Sequence, residues 1–358
     1  MHLPDRRPRL TPAIADVRRA VRDALTRVEG VPDAGADLLV ALSGGPDSLA
    51  LAAATAFEAP RANLRAGAVI VDHALQSGSD VVASTAARQA TELGLDPVIV
   101  TRVEVQHGAS GPEAAARTAR YAAVDAALAA TGARTVLLGH TLDDQAETVL
   151  LGLARGSGAV SLHGMAVTSE TDAGARIRPL LGLRRQVTLD FCADSGLQPW
   201  HDPHNVSPDF ARVRVRAEVL PLLERELGPG VAEALARTAE QLREDDDTLH
   251  AIAVETIEDL VEHAEAGIAV SAGALAANPP ALRNRIIRYV VDSEFGVSLS
   301  RAQTLAVAAL ATDWHGQKGV DLPGIRVVRR GALLEFARAA TDRQSTDAGG
   351  IPGQEETA

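Results

Sequence analysis

Four times between residues 38 and 153 a short β-rich apolar run gives way to a helical pattern, and this alternation limits the fold more than anything else in the sequence. Residues 38–42, 66–71, 97–103 and 135–139 read as strands, the first of them buried. Residues 47–57, 81–93, 112–130 and 142–153 read as the helices that follow. Such alternation implies an α/β fold with a parallel sheet covered by helices on both faces. Ligands in these sheets sit at the carboxyl ends of the strands. Three of the four strands end in chemically capable groups: the Ser43 loop, Asp72-His73 and His140.

The 358 residues suit two domains, and 46% hydrophobic content supports real cores. Residues 155–165 are Gly-rich and read as a loop, 183–195 as an amphipathic helix and 199–208 as a polar, Pro-rich loop. From residue 210 helical patterns dominate through about 265. Further helices are expected near 280–291 and 300–311, and then a short β-like end over 319–336. The polar, acidic residues 341–358 read as a disordered tail. No apolar run long enough for a membrane span is present. No apolar stretch follows the basic, Pro-containing residues 1–11, so no secretory signal is expected. A single cysteine, Cys192, excludes an intramolecular disulfide and a Cys-based metal cluster. The expected compartment is cytoplasmic. A net charge of −12 argues against a general nucleic-acid coat protein but leaves room for a local basic face.

Ser43-Gly44-Gly45-Pro46-Asp47-Ser48 joins the first strand to the first helix. Glycines let backbone approach an anion closely, and the helix start offers free N–H groups and partial positive charge. No Gly-Lys-Ser/Thr follows, so this is not a Walker A loop; an ordinary capped strand-to-helix turn is the plainer alternative. The second motif is His140-Thr141-Leu142-Asp143-Asp144-Gln145-Ala146-Glu147-Thr148. His140 ends a strand, and Asp144 and Glu147 share a face of the next helix. The acids could equally be N-terminal charges favoured by the helix dipole.

The six-residue loop in this setting resembles the signature of the N-type ATP pyrophosphatase (PP-loop) superfamily, whose domain is adenine nucleotide alpha hydrolase-like. Within it, the second motif resembles the tRNA(Ile)-lysidine synthetase family. Further segments resemble that family in the same order: Asp72-His73-Ala74-Leu75; Ala116-Arg117-Thr118-Ala119-Arg120-Tyr121; Arg155-Gly156-Ser157-Gly158 with Gly164-Met165; Arg178-Pro179-Leu180-Leu181; and Asp202 and Asn205 before Phe210-Ala211-Arg212-Val213-Arg214-Val215-Arg216 and Leu220-Pro221. The resemblance is good over about 35–225 and diffuse beyond. It implies a PP-loop domain over 1–218 and a smaller, mainly helical substrate- or tRNA-binding domain over 219–340. Thr141 stands where the family often has a second His, and Val213 replaces its usual Asn.

What the resemblance implies chemically is ligation of free L-lysine to carbon 2 of the wobble cytidine in the isoleucine tRNA with a CAU anticodon. ATP would be spent as AMP and pyrophosphate, with Mg²⁺ as the metal. It implies that Ser43, Gly44, Gly45, Pro46, Asp47 and Ser48 hold the nucleotide together with Asp72, His73 and Gly139. Asp47 becomes a candidate Mg²⁺ ligand, and Asp47, His140, Asp144 and Arg117 the catalytic candidates. Arg155, Arg178, Arg212, Arg214 and Arg216 are candidates for the tRNA or lysine side. Residues 176–216 hold seven arginines against four acids, a local excess that suits a polyanion contact or, alternatively, paired charges on a solvated face. No membrane partner is expected, and a homodimer stays open.

The rival enzymes fit less well. A tRNA thiolase of this superfamily would normally need paired cysteines. A GMP or asparagine synthetase would need a glutaminase domain. An NAD synthetase would lack the Arg155–Gly158-like and Arg212–Arg216-like segments. A non-catalytic RNA-binding relative or a nucleotide sensor are the readings from other classes.

Overall fold

The computed structural model describes residues 10–31, 34–72, 74, 78–103, 112–156, 158–200, 207–264 and 267–339. His73, Asp202, Asn205 and the tail expected over 341–358 lie outside the described residues. The chain divides into two compact units, Met1–Arg243 and Glu244–Ala358.

The first unit opens with α1 (Pro12–Leu25), started by Thr11, whose side chain accepts from the Ile14 N–H at 3.3 Å. It has no counterpart in the sequence reading, although Ile14, Val17, Val21 and Leu25 recur at helical spacing and are buried. Then come β1 (Leu38–Ala41), α2 (Pro46–Glu58), β2 (Ala66–Asp72), α3 (Ser79–Leu93), β3 (Val98–Arg102), α4 (Pro112–Thr131), β4 (Thr135–Leu137) and α5 (Leu142–Ala154). These are the expected four strands and their helices. A one-turn helix, α6 (Ala159–Leu162), interrupts the segment read as a loop. The hairpin β5 (Thr168–Thr171) and β6 (Gly174–Ile177) follows, then α7 (Arg185–Asp194). The hairpin was not legible because its strands are four residues long and mostly polar or small.

The sheet order is β3-β2-β1-β4-β6-β5, with only β5 antiparallel to its neighbour. Side chains of β1 alternate between its faces. Leu38 and Val40 join the core formed with α1, α2, α3 and α7, while Leu39 packs with Val124, Ala127 and Leu128 of α4. All three are fully buried, each worth about 1.5–3 kcal/mol of apolar transfer. Because β2 and β3 lie on one side of β1 and β4 on the other, the strand order reverses between β1 and β4. Their carboxyl ends form the crevice where such sheets bind ligands.

A helical run completes this unit: α8 (Ala211–Arg214), a wider π turn over Val215–Val219 and α9 (Leu220–Leu227). Pro221 has no N–H for the carbonyl of Ala217, and the wide turn sits just ahead of it. The division between units falls within α10 (Val231–Leu260).

The second unit holds β7 (Val261–Ala264), β8 (Gly267–Ser271), α11 (Ala272–Ala277), α12 (Pro280–Phe295), α13 (Arg301–Thr312), β9 (Val320–Leu322), β10 (Ile325–Arg330) and β11 (Leu333–Arg338). The helices near 280 and 300 are as expected, with Ser300 and Gln303 forming a capping box on α13. The β structure is larger than the short end read from sequence: an antiparallel sheet ordered β7-β8-β11-β10-β9. Ile286, Val290, Val307, Val327 and Phe336 form its core with these helices. Among the described residues no helix is long and apolar enough to cross a membrane.

Candidate active site

The chain leaves β1 into a loop shaped by Gly44, whose φ of 84° lies in the left-handed region. Ser48 Oγ accepts from the Ser43 N–H at 3.2 Å, lies 3.0 Å from Ser43 Oγ and donates to the Gly45 carbonyl at 3.0 Å. The two hydroxyls therefore brace the loop from within. The Trp200 N–H donates to the Gly44 carbonyl at 2.9 Å and ties a distant segment to the loop. Gly45 at the start of α2 has no side chain to cap the helix, and among the described residues none is seen to do so in its place. Gly139, beyond β4, lies against this turn. A Cβ there would come within 3.1 Å of the backbone of Asp47 and Ser48.

Asp144 and Glu147 of α5 are buried on one face, Glu147 completely. Buried carboxylates need partners, and three arginines supply them. Arg185, the first residue of α7, reaches Asp144 at 2.7 Å, Glu147 at 3.3 Å and Asp47 at 3.3 Å. Its backbone N–H donates to Asp143 at 2.7 Å. Arg216 binds Glu147 at 2.7 and 3.0 Å and Asp144 at 3.3 Å. Arg212 lies 3.7 Å from Glu147 and donates to the Thr148 hydroxyl at 3.0 Å. The other oxygen of Asp144 accepts from the Thr141 N–H and hydroxyl, at 2.8 and 2.9 Å, as a capping box. Asp144, the third residue of α5, thus completes a capping box and is at the same time the partner of Arg185 and Arg216. Thr141 supplies a cap where the family often has His.

Burial pushes the Asp144 carboxyl up, but the Arg185 charge, the Thr141 hydrogen bonds and nearby His140 bring it below its ordinary value. Asp47 is raised by burial, against the Thr188 hydroxyl that donates to it and the Arg185 charge. Burial opposes the charge of Arg185, yet Asp144, Asp47, Glu147 and Asp143 raise it above its ordinary value. His140 is brought down to about 4, first by burial and then by Arg178, Arg117 and Arg120, with Asp144 opposing. Its Nδ1 is buried and has no hydrogen-bond partner among the described residues.

The remaining predicted site residues divide by position. Asp72 is buried at the end of β2, beside β1, and accepts from the Ala74 N–H at 2.9 Å. Arg117 is exposed on α4 next to Tyr121. Arg178 is buried and donates to the Ala166 carbonyl at 2.8 Å. Arg155 is exposed at the end of α5, and Arg214 turns outward onto the carbonyls of Pro208 and Asp209. Five of the seven arginines counted over 176–216 are ion-paired with carboxylates: Arg176, Arg184, Arg185, Arg212 and Arg216. The local charge excess read from sequence is largely spent on acids elsewhere in the fold. Val213 is buried. Gln145 holds Met165 through both main-chain groups, at 2.7 and 3.0 Å, fixing the Gly164-Met165 segment beside α5.

A family model described as a PP-loop domain matches residues 17–223, and one described as a TilS substrate binding domain matches 271–334. A tRNA(Ile)-lysidine synthase from Leifsonia xyli is 64% identical over 303 residues, covering 84% of this chain and 90% of the relative. The chain belongs to the tRNA(Ile)-lysidine synthase family. A lysidine synthase from Thermobifida fusca is 50% identical, over 89% of this chain and 95% of that one. At the level of fold alone, a solved U34-tRNA thiolase from Methanococcus maripaludis is similar, with a TM-score of 0.54 at 19% identity over 65% of this chain and 80% of its own. In this lysidine synthase family member no group of three His, Cys, Asp or Glu side chains that could hold a metal gathers among the described residues. The donor set therefore fits Mg²⁺ only in its usual nucleotide-bound mode, with phosphates and water as most ligands and one carboxylate such as Asp47 from the protein.

Proposed function

We propose that this chain joins the ε-amine of free L-lysine to carbon 2 of the wobble cytidine in the isoleucine tRNA with a CAU anticodon. In the first step the cytosine O2 attacks the α-phosphorus of ATP. The bond from that phosphorus to the bridging oxygen breaks, and its electron pair leaves with pyrophosphate. In the second step the lysine nitrogen attacks carbon 2, the carbon–oxygen bond breaks, AMP departs with the pair, and the nitrogen sheds a proton. Adenylation is needed because an amide-like oxygen is a poor leaving group. The base must leave the anticodon stack to be reached.

The observation that carries this reading is the buried Asp144–Glu147 pair with its arginines, tied through Arg185 to Asp47 in the first turn of α2, next to the Ser43–Ser48 loop. The loop and the α2 start would hold the departing pyrophosphate. Mg²⁺, when bound with Asp47, would offset charge on the phosphates. The carboxylates would draw the lysine ammonium into the cleft. With an amine pKa near 10.4, about one lysine in 2,500 is neutral at pH 7, so a proton must be removed. His140, neutral at that pH and with a buried Nδ1 that has no partner among the described residues, accepts a hydrogen bond from the amine and orients it, while the proton passes to solvent because a ring held at about 4 is too weak a base to keep it. Arg155 and Arg214 are the surface candidates for the tRNA, and Arg212 and Arg216 stand on the lysine side. The reading places the enzyme in the cytoplasm.

The test is incorporation of labelled lysine into a transcript of that tRNA, with ATP and Mg²⁺, by wild type, Asp144→Ala and the isosteric Asp144→Asn. ATP-dependent incorporation with AMP release, reduced at least about 100-fold in both variants, supports the reading. Pyrophosphate release on another acceptor without lysine incorporation would leave an ATP pyrophosphatase of different substrate.

A further inference from the structure

Among the described residues, Arg185 is the one side chain that touches both halves of the site. Its Nε lies 3.3 Å from Asp47 of the loop-to-α2 turn, and its Nη atoms lie 2.7 Å from Asp144 and 3.3 Å from Glu147 on α5. Its side chain is 18% exposed, that of Glu147 is 0% and that of Asp144 is 11%, so water screens these contacts little. The backbone N–H of the same residue is fixed on Asp143. Thr188, one turn further along α7, is fully buried and holds the other oxygen of Asp47. The start of α7 is thus fastened to the loop and to α5 at once, and a single positive charge is divided between the two.

We propose that Arg185 is a positioning residue that couples the nucleotide subsite to the lysine subsite, so that ATP raises the affinity for lysine. The inference rests on the functional reading above. Triphosphate at the loop, net negative even with one Mg²⁺, adds negative charge next to the Asp47 end of the guanidinium and draws it that way. Asp144 and Glu147 then hold less of its charge and accept a substrate ammonium more readily. Arg216 and Arg212 remain on the carboxylates and keep the buried charges paired meanwhile. By linkage, lysine raises the affinity for nucleotide by the same factor. The amine is thereby admitted when there is a nucleotide to react.

The experiment is calorimetric titration of L-lysine into the full chain, with and without saturating α,β-methylene-ATP and Mg²⁺, for wild type, Arg185→Gln and Arg185→Lys. Wild type is expected to bind lysine at least about fivefold more tightly with the nucleotide analogue. In Arg185→Gln the two dissociation constants should agree within about twofold, and lysine should bind in the absence of nucleotide at least as tightly as in wild type. A residue that merely supports the fold would weaken lysine binding instead. Arg185→Lys keeps a charge without the two-sided fork, so its coupling should fall below about twofold. This variant carries the test if Arg185→Gln does not fold. Equal lysine affinities with and without nucleotide in wild type, or unchanged coupling in either variant, overturn the inference. Wild type that binds the analogue but lysine under neither condition overturns the lysine reading itself, and the coupling with it.

Discussion

A histidine under protein cover is harder to charge than one in water, and His140 is held at about 4 against an ordinary 6.5. Asp144 favours the imidazolium, while Arg178, Arg117 and Arg120 oppose it. Above pH 6.5 the ring is neutral whether the chain is folded or not. As pH falls, the unfolded chain takes up a proton that the folded chain refuses, so stability is lost between about pH 6.5 and 4. The full effect is on the order of 3 kcal/mol. Thermal unfolding of wild type and His140→Asn across that range should show wild type losing more stability on acidification. Parallel curves would mean that His140 is solvated. At this scale the site was partly legible. His140, Asp144 and Glu147 sit in one short string. Arg185 was counted in the sequence only as one of several basic residues, because its partners Asp144 and Asp47 lie 41 and 138 positions away. The signal available was indirect: two acids on one buried helical face require cations, and Arg184-Arg185 was a source.

Elements hold the loop by close approach, and Gly139 is where β4 meets α2. The Cβ of an alanine would sit 3.1 Å from the Asp47 and Ser48 backbone, which has no flexible end to move aside. Gly139→Ala should therefore push the first turn of α2 and raise the dissociation constant for ATP by roughly tenfold, about 1.4 kcal/mol. Thermal stability would fall by about 1–3 kcal/mol, as for other overpacked sites. Nucleotide titration beside a melting curve separates the two, and unchanged ATP affinity would show that the turn adapts. The strands and helices around this junction were legible because each has a strong apolar run and a turn signal, and their alternation pointed to the carboxyl ends of the strands, but the order that makes the switch point came only with the structure. The β5–β6 hairpin and the strands β7 and β8 ahead of α11 were not legible. They are short edge or hairpin pieces whose pairing depends on partners remote in sequence: β8 pairs with β11, more than 60 residues on. The widened turn ahead of Pro221 belongs to the same class. Pro221 lacks the N–H that a regular helix needs there, but that alone does not give the form of the turn.

The whole chain carries −12, whereas the proposed substrate is a polyanion, so binding must draw on a local surplus. Residues 176–216 looked like that surplus in the sequence, but most of their arginines are taken by carboxylates. Residues 280–339 hold nine cations against five acids and overlap the matched substrate-binding region. Several of those nine are also committed: Arg326 to Asp321, Arg330 to Glu335, and Arg285 to Asp246. Arg288 differs. Burial lowers its pKa, the like charges of Arg285 and Arg301 lower it further, and only Asp246 opposes them. Arginines that repel one another gain from a phosphate placed among them, and each such contact contributes to the salt dependence of binding. Replacing Arg288 and Arg301 together by Ala should weaken tRNA binding and reduce the slope of log K against log salt by about 1.5. The pair Arg212→Ala and Arg214→Ala should also weaken binding, but with a slope change of about 0.8, because only Arg214 points outward and Arg212 is spent on Glu147. Filter-binding curves between low and physiological salt distinguish these outcomes. An unchanged slope in the Arg288 and Arg301 variant would take that cluster out of the RNA contact and return the burden to Arg155 and Arg214. A larger change in the Arg212 and Arg214 variant would mean that the ion pairs around Glu147 open when the tRNA arrives.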